Sequence, residues 1–159
     1  MNLELVTELP DDYEAFRYYV EDYDELSDSE LDALVEEIAA PIIKAVDCTQ
    51  CANCCRSLDV YLTPGDAERL SQGVLIPLSE IIDHPRAEME GEWGVFKQQP
   101  CAFLNEKLCS VYEHRPTSCR EYPAFTPDFR WLLGDLLGGV GICPIIYHTI
   151  EELKKRLKW

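Results

Sequence analysis

Four of the eight cysteines in this 159-residue chain fall within eight positions, in the run Cys48-Thr-Gln-Cys51-Ala-Asn-Cys54-Cys55. Two-residue spacings let successive sulfurs turn toward one central point, and thiolates turned that way suit a shared metal ion. The remaining cysteines are Cys101, Cys109, Cys119 and Cys143. Eight sulfurs are enough for two four-thiolate sites, so the chain is expected to organise its fold around metal.

The rest of the composition bounds what surrounds that feature. The chain is 47% hydrophobic, enough to bury a core and too much for disorder. Its net charge is −16, and −13 of this lies in residues 1–40, where fourteen acids face one base, Arg17. Such a surface repels phosphate and speaks against nucleic-acid binding. It serves solubility, or it forms an acidic docking face for a basic protein partner. The opening residues have neither the basic nor the apolar region of a secretory signal, and no stretch has the ~18 apolar residues of a membrane span. A cytoplasmic location follows as the expectation, with thiols kept reduced rather than paired as disulfides.

Read for periodicity, the chain is an α+β, helix-rich protein with short strands and a hairpin. One domain is expected over 1–159: an acidic helical lead-in at 1–46, a metal-binding core at 48–147 and a C-terminal helix at 144–158. Phe16, Tyr19, Val20 and Tyr23 share a helical face within 11–25. Ser27-Asp-Ser-Glu30 is a capping box ahead of Leu31, Leu34, Val35 and Ile38. Pro41 is expected to kink or restart that helix. After a short strand at 58–63, Thr63 caps a helix that Pro64 opens and Gly73 ends. Residues 74–92 show no clear period, 93–97 suit a strand, and 103–108 suit a hairpin bringing Cys101 and Cys109 together. Residues 116–122 form a short helix or turn. Gly138-Gly-Val-Gly141 is better taken as a turn than as a nucleotide loop. Pro144 opens a last helix with Ile146, Ile150, Leu153 and Leu157 on one face and a basic end that suits the helix dipole.

Thiolate donors fit tetrahedral zinc or an iron–sulfur cluster. Cys48, Cys51 and Cys54 match three legs of a bacterial ferredoxin run, and Cys143-Pro144 supplies a remote Cys-Pro pair. Zinc would instead pair the CxxC spacing with a second cysteine pair such as Cys101 and Cys109. The adjacent Cys54 and Cys55 point opposite ways if the backbone is extended, so they serve two neighbouring sites or bridge two metals, unless Cys55 is a packed core thiol. Arg56, Arg115 and Arg120 lie near cysteines in sequence and would offset thiolate charge or form ordinary surface pairs. His114 offers itself as a ligand, but its place between Glu113 and Arg115 better suits a solvated side chain, and His84 and His148 have no ligand-like spacing.

Three blocks of the sequence carry a resemblance. They are Cys48–Arg56, then Pro100-Cys-Ala-Phe-Leu104 with the stretch Cys109–Pro123, and finally Cys143-Pro-Ile-Ile-Tyr147. On these the chain resembles the CxxCxxCC (YkgJ-like) family of zinc- or iron-chelating cysteine-cluster domains. The resemblance spans residues 48–147 and leaves the acidic helices outside. It implies metal binding without implying a reaction. Some larger relatives with this kind of cluster are lysine methylases acting on flagellin, and 159 residues leave little room for a separate methyltransferase domain.

The expected function is therefore metal binding by Cys48, Cys51, Cys54, Cys55, Cys101, Cys109, Cys119 and Cys143, with zinc or a 4Fe–4S cluster as cofactor. The role is redox and electron transfer, or structural. The alternative is a cluster-dependent enzyme such as a lysine methylase. A catalytic zinc needs an open position and a base, for which only Glu113 and Glu121 offer themselves, by proximity in sequence.

Overall fold

Ser27 opens the longest helix through the capping box the sequence announces. Its side chain accepts from the Glu30 amide, and the Glu30 carboxylate accepts from the Ser27 amide at 2.8 Å. The computed structural model describes residues 12–47, 51–52, 54–55, 60–74, 77, 80, 82–83, 94–97, 101, 103–106, 108–110 and 112–159. Two compact units emerge. One joins Met1–Asp47 to Pro123–Trp159, and the other is Cys48–Tyr122. Short strands beside a majority of helix give the α+β, helix-rich architecture.

The first unit is helical. It contains α1 (Asp12–Asp22) and α2 (Asp28–Ala45). Helix α2 continues through Pro41 instead of restarting there. Proline removes the amide that would reach the Glu37 carbonyl, but both residues are exposed, so water can take that partner's place. Tyr13, Phe16 and Val20 form the buried face of α1, while Tyr19 and Tyr23 are half-buried.

Two further helices complete this unit. They are α5 (Phe129–Leu137), which packs against α1 and α2, and α6 (Pro144–Arg156), which packs against α2. Phe16, Val20, Leu31, Val35, Phe129, Leu133, Ile150 and Leu153 are fully buried, each contributing about 1.5–3 kcal/mol. No periodicity reading had placed α5. Its first turn lacks a local side-chain cap, and the Asp128 and Phe129 amides instead donate to the Asp32 carboxylate of α2 at 3.0 and 2.9 Å.

Several acids of the lead-in have such internal work. Asp32 caps α5, Glu36 accepts from Thr126, and Asp28 accepts from the buried Arg130. At the C-terminal end, the Lys154 ammonium lies 4.0 Å from the Tyr13 ring centroid and pairs with Asp12 and Glu151. Burial, followed by the hydrogen bond to Glu151, pushes the Tyr13 phenol up.

The second unit holds the strands, each two or three residues long. Strands β1 (Tyr61–Leu62), β2 (Ile82–Asp83) and β3 (Gly94–Phe96) form an antiparallel sheet in the order β1-β3-β2. Its register sets Tyr61 opposite Val95 and Ile82 opposite Phe96. Strand β2 falls in the stretch whose sequence shows no period. Strands β4 (Leu104–Asn105) and β5 (Leu108–Cys109) form the expected hairpin, turned at Glu106 with φ 58°.

Helix α3 (Pro64–Gly73) begins at the Thr63 cap and packs on β1 and on the 3₁₀ turn Tyr112–His114. Its last residue must be small, because a Cβ on Gly73 would stand 2.7 Å from the His114 ring. The short helix α4 (Thr117–Glu121) also packs on β1, where the Ser118 hydroxyl donates to the Tyr61 carbonyl at 2.8 Å. Val60, Leu62, Leu70, Ile82, Phe96 and Phe103 make the core of this unit. Among the described residues, no helix is long and apolar enough to cross a membrane.

Candidate metal centre

Six candidate cysteines are described in the second unit, and four of them share one neighbourhood. Cys101 sits just before the hairpin, Cys109 at the end of β5 and Cys119 in the middle of α4. These three pack against the six-residue hydrophobic core. Cys55 joins them through the backbone, for its carbonyl accepts from the Cys101 amide at 2.8 Å.

The thiols feel one another electrically. Burial pushes the Cys119 thiol up to about 12, and Cys101, Cys55 and Cys109 add to the shift. Cys101 is also raised, first by burial and then by Cys55 and Cys109, while hydrogen bonds from the Phe103 and Leu104 amides pull the other way. Those amides point at the Cys101 sulfur because the chain turns directly after it, closing a bond from the Leu104 amide to the Cys101 carbonyl at 3.1 Å.

The backbone of the cysteine run differs from the extended form assumed from sequence. It is helical at Cys51 and again at Cys54 and Cys55, with Ala52 between them in the left-handed region at φ 54°. In helical backbone the adjacent Cys54 and Cys55 diverge by about 100° rather than opposing each other. Cys51 and Cys54 are half-buried. Cys48, Arg56 and His84 lie outside the described residues. Cys143 belongs to the helical unit, buried at the cap position of α6.

The remaining sequence candidates find other employment. Glu113 and Glu121 are exposed. His114 lies against Gly73, and His148 lies edge-on to Tyr147. The Arg115 guanidinium stacks 3.9 Å from the Tyr112 ring centroid, and the exposed Arg120 donates to the Arg115 carbonyl. Asp66 was not singled out from sequence as a site residue. It is 1% exposed, and its carboxylate accepts from the amides at the starts of both α3 and α4. The signal for it was the Thr63-Pro-Gly-Asp66 spacing, which is a full capping box.

An all-sulfur donor set at the edge of an apolar core suits a thiophilic cation. Without one, burial and the neighbouring thiols keep Cys101 and Cys119 protonated. With one, the positive charge stabilises the thiolates that burial disfavours. Cys55, Cys101, Cys109 and Cys119 therefore fit zinc or iron. Among the described residues, no three His, Cys, Asp or Glu side chains already stand in coordinating positions, so binding would have to draw the sulfurs inward.

These features define a protein that binds metal through clustered cysteines. A family model described as "Putative zinc- or iron-chelating domain" matches residues 47–135, and the chain belongs to this CxxCxxCC family. The match begins at the cysteine run and leaves the acidic helices outside. It ends before Cys143-Pro-Ile-Ile-Tyr147, so the third block of the expected resemblance falls beyond it. No curated protein and no solved structure matches the chain.

Proposed function

We propose that Cys55, Cys101, Cys109 and Cys119 hold zinc or iron, and that the metal's main work is to hold the Cys48–Tyr122 unit together. The observation that carries this reading is the meeting of four thiols, from segments far apart in sequence, on a core of six buried residues. Strands of two or three residues form weak sheets on their own, and small cores commonly need a metal or a crosslink. The remaining cysteines of the run, Cys48, Cys51 and Cys54, are the reserve from which a second site or a cluster would be completed.

A second reading, an iron–sulfur cluster for electron transfer, is favoured by the Phe103 and Leu104 amides at the Cys101 sulfur. Hydrogen bonds to sulfur are one of the means by which proteins set cluster potentials. Anaerobic purification followed by an absorption spectrum and analysis of iron, zinc and acid-labile sulfide on one sample separates the two. Colourless protein with one or two zinc ions supports the structural reading. Brown protein with iron and sulfide in near-equal amounts overturns it in favour of the cluster. Protein free of both metals and able to take up neither overturns metal binding itself.

A further inference from the structure

Asp66 is almost fully buried, yet it lies outside the thiol group. Its Oδ2 accepts the Thr63 amide at 3.0 Å and thereby closes the capping box of α3. Its Oδ1 accepts the Thr117 amide at 3.0 Å, the Thr117 hydroxyl at 2.7 Å and Arg69 Nη2 at 2.5 Å. Thr117 is the first residue of α4, and Cys119 stands two residues further on. Helix α4 has no side-chain cap from its N-cap residue, so this carboxylate from α3 caps its first turn, beside the bond from the Ser118 hydroxyl to Tyr61. A five-residue helix has little intrinsic stability, and its direction is set by whatever grips its ends.

We infer that Asp66 is the positioning residue of the metal centre, holding the first turn of α4 so that the Cys119 sulfur faces Cys55, Cys101 and Cys109. The inference rests on Cys119 being a metal ligand. Outer partners that orient ligands in this way commonly change metal affinity about 10–100-fold when removed. Burial opposes the carboxylate's charge, but the Thr63 and Thr117 hydrogen bonds hold it down at about 2, so it is ionised throughout the neutral range. Three of its four donors fall on Oδ1, so asparagine with its oxygen placed there would lose only the Thr63 bond and the charge, and alanine is the replacement that removes the grip on α4.

The test is a double-mutant cycle read by Co²⁺ titration of the full-length, metal-free protein under anaerobic conditions. The four forms are the wild type, Asp66→Ala, Cys119→Ser and the double variant. Asp66→Ala is expected to weaken Co²⁺ about 10–100-fold and to lower the thiolate-to-cobalt charge-transfer absorption by roughly a quarter, the share of one thiolate in four. In the Cys119→Ser background, Asp66→Ala should change neither, because the residue it acts through is gone.

An equal loss in both backgrounds would mean that Asp66 serves the fold in general, and the inference fails. An unchanged affinity for Asp66→Ala alone has the same meaning. If Cys119→Ser itself keeps full affinity and absorption, Cys119 is not a ligand and the assignment of the centre falls with the inference. If the wild type binds no Co²⁺, both fall. Should Asp66→Ala not fold, Thr117→Val removes the hydroxyl's bonds to Asp66 and Arg69 and keeps the amide bond, and the cycle is run with it, a smaller loss with the same non-additivity being the supporting result.

Discussion

Stripping the metal is expected to unfold the Cys48–Tyr122 unit while leaving the helical unit folded. Thiolate zinc contributes about 10 kcal/mol or more, and a whole small domain is stable by only about 5–15 kcal/mol. Among the described residues, the cysteine unit has three strands of two or three residues, a two-stranded hairpin, two helices and a six-residue core to set against that loss. The helical unit contains no member of the four-thiol group and has its own fully buried residues, among them Phe16, Val35, Leu133 and Ile150.

Amide hydrogen exchange after treatment with a strong chelator reads both units in one experiment. Leu62, Phe96 and Leu104 should lose protection, while Leu133 and Ile150 keep theirs. Cys101→Ser should do the same without any chelator, since its sulfur is coupled to Cys55, Cys109 and Cys119. Undiminished protection at Phe96 in the chelated protein would show that the metal is not what holds this unit.

Replacing Arg130 by alanine is expected to cost the helical unit about 3 kcal/mol or more, since three carbonyls lose a charged donor at about 1–3 kcal/mol each. Arg130 is 6% exposed and lies on α5. Its guanidinium donates to the carbonyls of Val20 and Tyr23 at the end of α1 and to that of Leu26 ahead of α2. It also pairs with Asp28 at 2.6 Å. One side chain thus ties together three carbonyls at the α1–α2 connection. The bond to the Val20 carbonyl is fully buried, and without it that carbonyl keeps the Tyr23 amide at 3.2 Å.

Asp28→Asn is the informative control. Asp28 is half exposed, so removing its charge should cost no more than about 1 kcal/mol. Denaturant unfolding followed by helical circular dichroism measures both. Equal losses for the two variants would place the energy in the ion pair and not in the carbonyls.

The helix starts were legible wherever the capping group lies close in sequence. Ser27 with Glu30 and Thr63 with Pro64 mark α2 and α3 as read, and Pro144 marks α6. Helix α5 was missed for the opposite reason. Its amides are capped by Asp32, nearly a hundred residues earlier, and no local pattern announces such a partner. Strand β2 was missed because two residues are too few to show a period. Pro41 was overweighted because a helix interior tolerates proline where the orphaned carbonyl faces water.

The amino-acid sequence alone determined that this chain binds zinc or iron through cysteines, because ligand chemistry and two-residue spacing are local properties. It also determined where most helices begin, since a cap acts within one turn. Which thiols meet was decided only by tertiary structure. Cys55, Cys101, Cys109 and Cys119 come together through the register of a hairpin, a backbone bond between Cys101 and Cys55, and the grip of Asp66 on α4. Each of these joins residues far apart along the chain, and spacing carries no information about contacts that only the folded chain can close.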